Sequence, residues 1–119
     1  MTIEFYPLSD ELAVAGQLSD QDMAQVAKAG FKSVVINRPD QEGGPLQPAS
    51  EKVIQAAKAV GMQAVYQPVV SGQLTLEDAQ TFLELLETLP KPILAYCRSG
   101  GRCTSLFHAA QTLKERNSD

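Results

Sequence analysis

Short apolar runs alternate with helical patterns along this chain, and that alternation restricts its fold more than any other feature. The strand-like runs "FKSVVI" (31–36), "MQAVYQPVV" (62–70) and "ILAYC" (93–97) each follow a segment with helical spacing. β-branched and aromatic residues favour strands, whereas apolar residues at every third or fourth position favour amphipathic helices. The order predicts an α/β fold with a central, largely parallel sheet of about four to five strands and helices on both faces.

Capping residues and glycines mark the ends of four predicted helices. Ser19 and Asp22 begin the first helix and Gly30 ends it. The second is "ASEKVIQAAKAVG", the third is "LEDAQTFLELLETL", and the fourth runs from about Cys103 into "TSLFHAAQTLKERN". Two further strand-like pieces, "IEFY" and "LAVAGQ", precede the first helix, and the loop "NRPDQEGGPLQP" follows the first buried strand.

Length and charge limit the classes of protein to which the chain can belong. Its 119 residues suffice for one compact core, so we expect a single domain spanning 1–119. A net charge of −4 gives no general attraction to nucleic acid or to an anionic membrane, and neither is expected as a partner. The first residues lack a basic segment followed by an apolar one, so we expect a cytoplasmic protein whose two cysteines are reduced.

The stretch "AYCRSGGRCT" (95–104) contains the residues most typical of a reactive site: both cysteines, two arginines and a glycine pair. Cys97 ends a predicted strand, and ligands of open α/β sheets bind at the carboxyl ends of strands. The following Ser-Gly-Gly permits a tight curve that turns backbone N–H groups inward, and the next helix begins there. With Arg102 these groups form an anion site, which lowers the pKa of a thiol. Cys97 is therefore the predicted nucleophile.

The neighbouring residues have predicted roles and simpler alternatives. Cys103 is either a small core residue or a second, resolving thiol, and the lone histidine, His108, is a packing or surface residue. One histidine and two cysteines do not make a metal site, and no cofactor is predicted. The predicted substrate-binding residues follow Cys97 in the loop and helix start: Arg98, Ser99, Gly100, Gly101, Cys103 and Thr104.

Four segments resemble a bacterial protein family: "AGQL", "GFKSVVINRPDQEG", "YQPVVSGQLTLEDAQTF" and "YCRSGGRCTSL". Together, from about Val14 to Leu113, they look like the phosphatase-like domain of beta-lactamase hydrolase-like proteins. The resemblance implies the fold of dual-specificity phosphatases and a small anionic substrate, either phosphorylated or persulfidated. Some members are fused to a metallo-beta-lactamase domain that oxidises persulfides, which implies a persulfide-oxidising partner.

The sequence departs from the phosphatase pattern in three places. Phosphatases of this superfamily carry five residues between Cys and Arg, whereas four separate Cys97 from Arg102, as in rhodanese-like sulfurtransferases. Phosphatases also use a separate Asp as general acid, yet "AVYQPVVSGQ" contains no carboxylate, which leaves Asp40 as the candidate catalytic acid. Cys103 stands where the pattern has Ser or Thr, and Thr104 replaces that hydroxyl only if the helix register shifts by one.

Three functions remain open on the sequence. The first, narrowly favoured by the resemblance, is hydrolysis of phosphomonoesters through Cys97, with Arg102 and the loop amides holding the phosphoryl oxygens and Asp40 as acid. The second is transfer of sulfane sulfur through a Cys97 persulfide, which needs no acid. The third is a non-catalytic anion-binding domain.

Overall fold

The structure, a computed structural model, describes residues 3–117. Its strands are β1 (Tyr6–Pro7), β2 (Leu12–Ala15), β3 (Ser33–Ile36), β4 (Gln63–Tyr66) and β5 (Ile93–Tyr96). Its helices are α1 (Met23–Lys28), α2 (Ser50–Ala59), α3 (Leu76–Thr88) and α4 (Gly101–Asn117), and a short 3₁₀ helix (Asp20–Asp22) leads into α1.

The five strands form one sheet in the order β1-β2-β5-β3-β4. Strands β2, β5, β3 and β4 are parallel, and only β1 is antiparallel, to β2. This confirms the predicted largely parallel sheet. Because β5 lies between β2 and β3, the loop that follows Tyr96 emerges at the middle of the edge where the parallel strands end.

Two apolar clusters cover the two faces of the sheet, as the alternation predicts. One contains side chains of α1 and α2, including the fully buried Met23, and the other contains side chains of α3 and α4, including the fully buried Phe82. Successive side chains of a strand point to opposite faces. Ile93 and Ala95 belong to the α3/α4 cluster, and Cys97 continues that series toward α4.

Several boundaries differ from the prediction for local reasons. Strand β4 ends at Tyr66 rather than Val70, because Pro68 has no backbone N–H and the chain turns across the end of β3. Helix α4 begins at Gly101, two residues earlier than predicted, immediately after the reversal at Gly100. Among residues 3–117, no helix combines the length and the apolar character needed to cross a membrane.

Candidate active site

A cavity of about 1110 Å³ opens at the edge of the sheet where the parallel strands end. Three segments wall it: the loop after β3, the loop after β4, and the turn between β5 and α4. Cys97 lies in its lining although only 1% of the residue is exposed. A reactant must therefore reach the thiol through this cavity. Because so little of Cys97 is exposed, the end of the reactant that meets the sulfur must be narrow.

The turn after Cys97 brings backbone donors onto its sulfur. Gly100 has φ +92°, a left-handed conformation that side chains disfavour, and its N–H lies 3.1 Å from Cys97 Sγ. A Cβ on Gly100 would lie 3.6 Å from the backbone of Ala15 on β2, which is ordinary contact, so the dihedral angle is what requires glycine. The amides of Ser99 and Cys103 also favour the ionised sulfur and lower the pKa of Cys97. The loop is thus an anion-binding turn whose backbone amides face the sulfur of Cys97.

These contacts make Cys97 an acidic thiol. A hydrogen bond from the Cys103 thiol is the largest influence and the loop amides add to it, so that the pKa of Cys97 falls to about 5 despite its burial. The pKa of Cys103 moves the other way, well above the ordinary value, because ionised Cys97 is its hydrogen-bonded neighbour and the residue is buried. At neutral pH the pair is therefore one thiolate and one thiol.

Asn37 completes this pair, and it was not among the residues singled out in the sequence. Its Oδ1 lies 3.2 Å from Cys103 Sγ, and its Nδ2 donates to the carbonyl of Gln67 at 3.0 Å. Asn37 is fully buried. The Cys103 S–H can donate to either Asn37 or Cys97. A polar residue directly after the buried run "SVVI" is the sequence signal that would have identified it.

Arg102 lines the cavity, but its two terminal nitrogens are not free to form paired hydrogen bonds with a bound anion. Its Nη1 and Nη2 donate to the two carboxylate oxygens of Glu42 at 3.0 and 2.9 Å, and Nη1 also donates to the carbonyl of Val69 at 2.9 Å. The bond raises the pKa of Arg102 and lowers that of Glu42. Of the three guanidinium nitrogens of Arg102, only the buried Nε has no hydrogen-bond partner among residues 3–117.

Glu42 joins a second arginine to the site. Arg38 Nε donates to Glu42 Oε1 at 3.0 Å, and Arg38 Nη1 donates to Gln17 Oε1 at 3.1 Å. Arg38 stands only four positions before Glu42, whereas Arg102 is 60 positions away, so nothing in the sequence indicated that one carboxylate joins the two arginines. The result is an Arg38–Glu42–Arg102 triad across one side of the cavity.

Asp40, the predicted general acid, is not in the lining of the cavity. Its carboxylate accepts hydrogen bonds from the backbone N–H and the hydroxyl of Ser50, both at 2.8 Å, and so caps the start of α2. The prediction placed the loop at the correct edge of the sheet. The carboxylate instead satisfies donors at the start of α2, an arrangement that does not support the predicted role as general acid.

The predicted binding residues divide into two groups. Arg98, Ser99 and Gly101 line the cavity. Thr104 does not, because its hydroxyl donates to the carbonyl of Gly100 at 2.9 Å, so it cannot replace the missing hydroxyl beside Cys97. Gly100 and Cys103 also lie outside the lining, and Cys103 packs in the same apolar cluster as Cys97.

The comparisons with known proteins show the family to which the chain belongs. Residues 4–114 match the model of the beta-lactamase hydrolase-like protein, phosphatase-like domain. The chain belongs to this family. Its sequence is 31% identical to that of the beta-lactamase hydrolase-like protein of Agrobacterium fabrum and 28% identical to that of Xylella fastidiosa, over 92% of the chain in both cases. The chain spans only 25% of the length of these relatives.

Solved structures extend the similarity to the fold of this phosphatase-like domain. A candidate phosphatase from Neisseria meningitidis is 34% identical, with a TM-score of 0.79 over 86% of this chain and 72% of that one. Another from Shewanella putrefaciens is 20% identical, with a TM-score of 0.78 over 98% of this chain and 75% of that one, and supports the fold alone. The cysteine-dependent phosphatase fold that the sequence predicted is thereby confirmed.

Proposed function

We propose that this phosphatase-like domain is a sulfurtransferase that carries sulfane sulfur as a persulfide on Cys97. The reaction requires a reactive thiolate, an anion-stabilising environment and access for a narrow donor. The acidic Cys97, its amide nest and the cavity in front of it meet these requirements.

The carboxyl groups that the structure describes around the cavity favour sulfur transfer over phosphoester hydrolysis, because none of them is a suitable proton donor. Among residues 3–117, Glu42 is the one carboxyl in the lining, and its two arginine partners lower its pKa. An ionised carboxylate cannot give a proton to a departing alkoxide. Transfer of sulfur needs no such proton, because the group expelled from the donor is a stable anion.

Each half of the transfer balances without a further reactant. The Cys97 thiolate attacks the outer sulfur of a donor such as thiosulfate, the sulfur–sulfur bond of the donor breaks, and its electron pair leaves with sulfite. The persulfide anion on Cys97 then lies among the loop amides, with Arg102 Nε as the remaining donor of the guanidinium. An acceptor thiolate attacks the outer sulfur and leaves Cys97 as a thiolate again.

Phosphomonoester hydrolysis is the second candidate, and the fold and the family favour it. A Cys97 phosphoenzyme would form at the same sulfur, held by the same loop. With Asp40 committed to Ser50, the hydrolytic reaction lacks its expected acid. It is therefore restricted to esters with good leaving groups, such as aryl phosphates, because these depart without protonation.

Intact-protein mass spectrometry separates the two reactions. We expect incubation with thiosulfate, without an acceptor thiol, to transfer sulfur to Cys97 and to release one sulfite for each chain modified. Cys97→Ser should release none. Because further chemistry at the persulfide can remove its mass, the sulfite measurement decides. No sulfite release from the wild type would overturn the proposal.

Phosphate esters provide the contrasting arm of the experiment. Turnover of an aryl phosphate that is lost in Cys97→Ser, without any sulfite release from thiosulfate, would establish the hydrolase instead. If the protein neither releases sulfite nor hydrolyses the ester but binds phosphate or thiosulfate, it is an anion-binding domain. Arg102→Lys should impair either reaction, since a single ammonium cannot reproduce the paired contacts with Glu42.

A further inference from the structure

A second thiol lies directly behind the proposed sulfur carrier. Cys103 is fully buried, belongs to the same apolar cluster as Cys97, and is the neighbour that most lowers the pKa of Cys97. The bridging role of Asn37 gives independent support for this placement. Ile36 pairs with Tyr96 in the register of β3 and β5, so Asn37 stands beside Cys97, and Asn37 Oδ1 is 3.2 Å from Cys103 Sγ.

The two sulfurs lie on different sides of the site. Cys97 lines the cavity, whereas Cys103 does not and packs into the core beneath α4. A sulfur atom added to Cys97 has room only on the cavity side. Cys103 packs in the core, away from the cavity that would take the added sulfur, and displacement at Cys97 Sγ needs a thiol that does not lie on the side of the leaving sulfur.

We propose that Cys103 resolves the Cys97 persulfide when no acceptor thiol collects the sulfur, so that the protein releases sulfide and closes a Cys97–Cys103 disulfide. The inference rests on the proposed sulfurtransferase function for the source of the persulfide. It assigns Cys103 as a second catalytic residue and gives the protein a further activity, thiol-dependent release of sulfide from a sulfane donor.

The step balances in atoms and electrons. The Cys103 sulfur forms a bond to Cys97 Sγ, the bond between Sγ and the outer sulfur breaks, and its electron pair leaves on that sulfur. The proton of Cys103 leaves with the sulfur as HS⁻. The two cysteines are oxidised and the outer sulfur is reduced to sulfide. Two molecules of a low-molecular-weight thiol then reduce the disulfide and are themselves oxidised to a disulfide.

The test compares wild type with Cys103→Ser, which keeps a hydroxyl donor beside Cys97 but cannot form the disulfide. Each protein is loaded in two ways, with thiosulfate and with inorganic polysulfide, and free acceptor thiol is excluded. Polysulfide places sulfur on an accessible thiolate without needing the proposed transfer activity. Intact mass, alkylation of free thiols and released sulfide are measured over time.

We expect the wild-type persulfide to disappear at least about tenfold faster than that of Cys103→Ser, because the resolving thiol is held in contact and acts at a high effective concentration. Wild type should release one sulfide per chain and lose two hydrogens and both alkylatable thiols. Cys103→Ser should retain the added sulfur. A folded-state check by circular dichroism, with Cys103→Ala as a second variant, guards against loss of structure.

The outcomes distinguish this inference from the proposed function. If wild type holds its polysulfide-derived persulfide as long as Cys103→Ser does and releases no sulfide, the resolving role of Cys103 is overturned. If thiosulfate loads neither protein but polysulfide gives the disulfide in wild type alone, the transfer function fails while the resolving role stands.

Discussion

Replacing Cys103 by alanine should raise the pKa of Cys97, because the Cys103 thiol is the largest influence lowering it. With a pKa of about 5, Cys97 is about 99% thiolate at pH 7, whereas a thiol at the ordinary value of 9.0 would be about 1% ionised. A hydrogen bond to a charged group contributes about 1.5–3 kcal/mol, and 1.36 kcal/mol corresponds to one pH unit. Loss of the bond should therefore move the midpoint of ionisation from about pH 5 to about pH 6–7.

The rate of alkylation by iodoacetamide measures this ionisation, since the thiolate is the reacting form. Rates are recorded from pH 4 to pH 9 by intact mass on folded protein. Cys103→Ser is the matched control: its hydroxyl still donates to Cys97, so its midpoint should stay below that of Cys103→Ala. Cys97→Ala should show no reaction in the acidic range, because the burial of Cys103 still disfavours its thiolate after the neighbouring sulfur is removed. Equal midpoints for wild type and Cys103→Ala would refute the assignment of Cys103 as the main influence.

Three further changes test the parts of the site and the core separately. Gly100→Ala should lower stability by about 1–2 kcal/mol, because its φ of +92° is left-handed, and should abolish most activity by moving the amide off Cys97. The control Gly30→Ala, at φ +103° in open space, should lower stability by a similar amount and leave activity intact. Equal activities for the two glycine variants would contradict the role given to the Gly100 amide. Glu42→Gln should lower kcat by about tenfold with a smaller change in KM, because it leaves both arginines without their shared carboxylate; steady-state sulfur transfer measures it, and unchanged kcat would show that the triad does not position Arg102. Phe82→Ala, at a fully buried position, should lower the free energy of unfolding by about 3–5 kcal/mol in a urea titration, and a loss below about 1 kcal/mol would contradict its place in the α3/α4 core.

The order of helices and strands was predictable from the sequence because each element carries its own periodicity and end signals. Thr75 and Asp78 show this: they have the spacing of a capping box, and both reciprocal capping bonds are present at 3.0 Å. The short antiparallel strand β1 was less predictable, since its two residues have little pattern and one of them is Pro7.

The candidate site was predictable only where its residues are neighbours in the chain. Cys97, the loop and Arg102 form one motif, and the structure brings them together. The partners of Arg102 and Cys103 come from elsewhere: Glu42 is 60 positions from Arg102, and Asn37 is 66 positions from Cys103. Two carboxylates stand near each other in one loop, and sequence alone does not say which of Asp40 and Glu42 turns toward the cavity.

The wide separation of Asn37 from the cysteines along the chain has a consequence for how the protein can be monitored. Cys97 and Cys103 are close in sequence, but the arrangement of the sulfurs requires β3 beside β5 and α4 packed on the sheet. In an unfolded chain both thiols return to ordinary acidity. Rapid labelling at pH 6 is therefore a property of the assembled molecule, and it offers a built-in reporter of correct folding that needs no substrate and no attached dye.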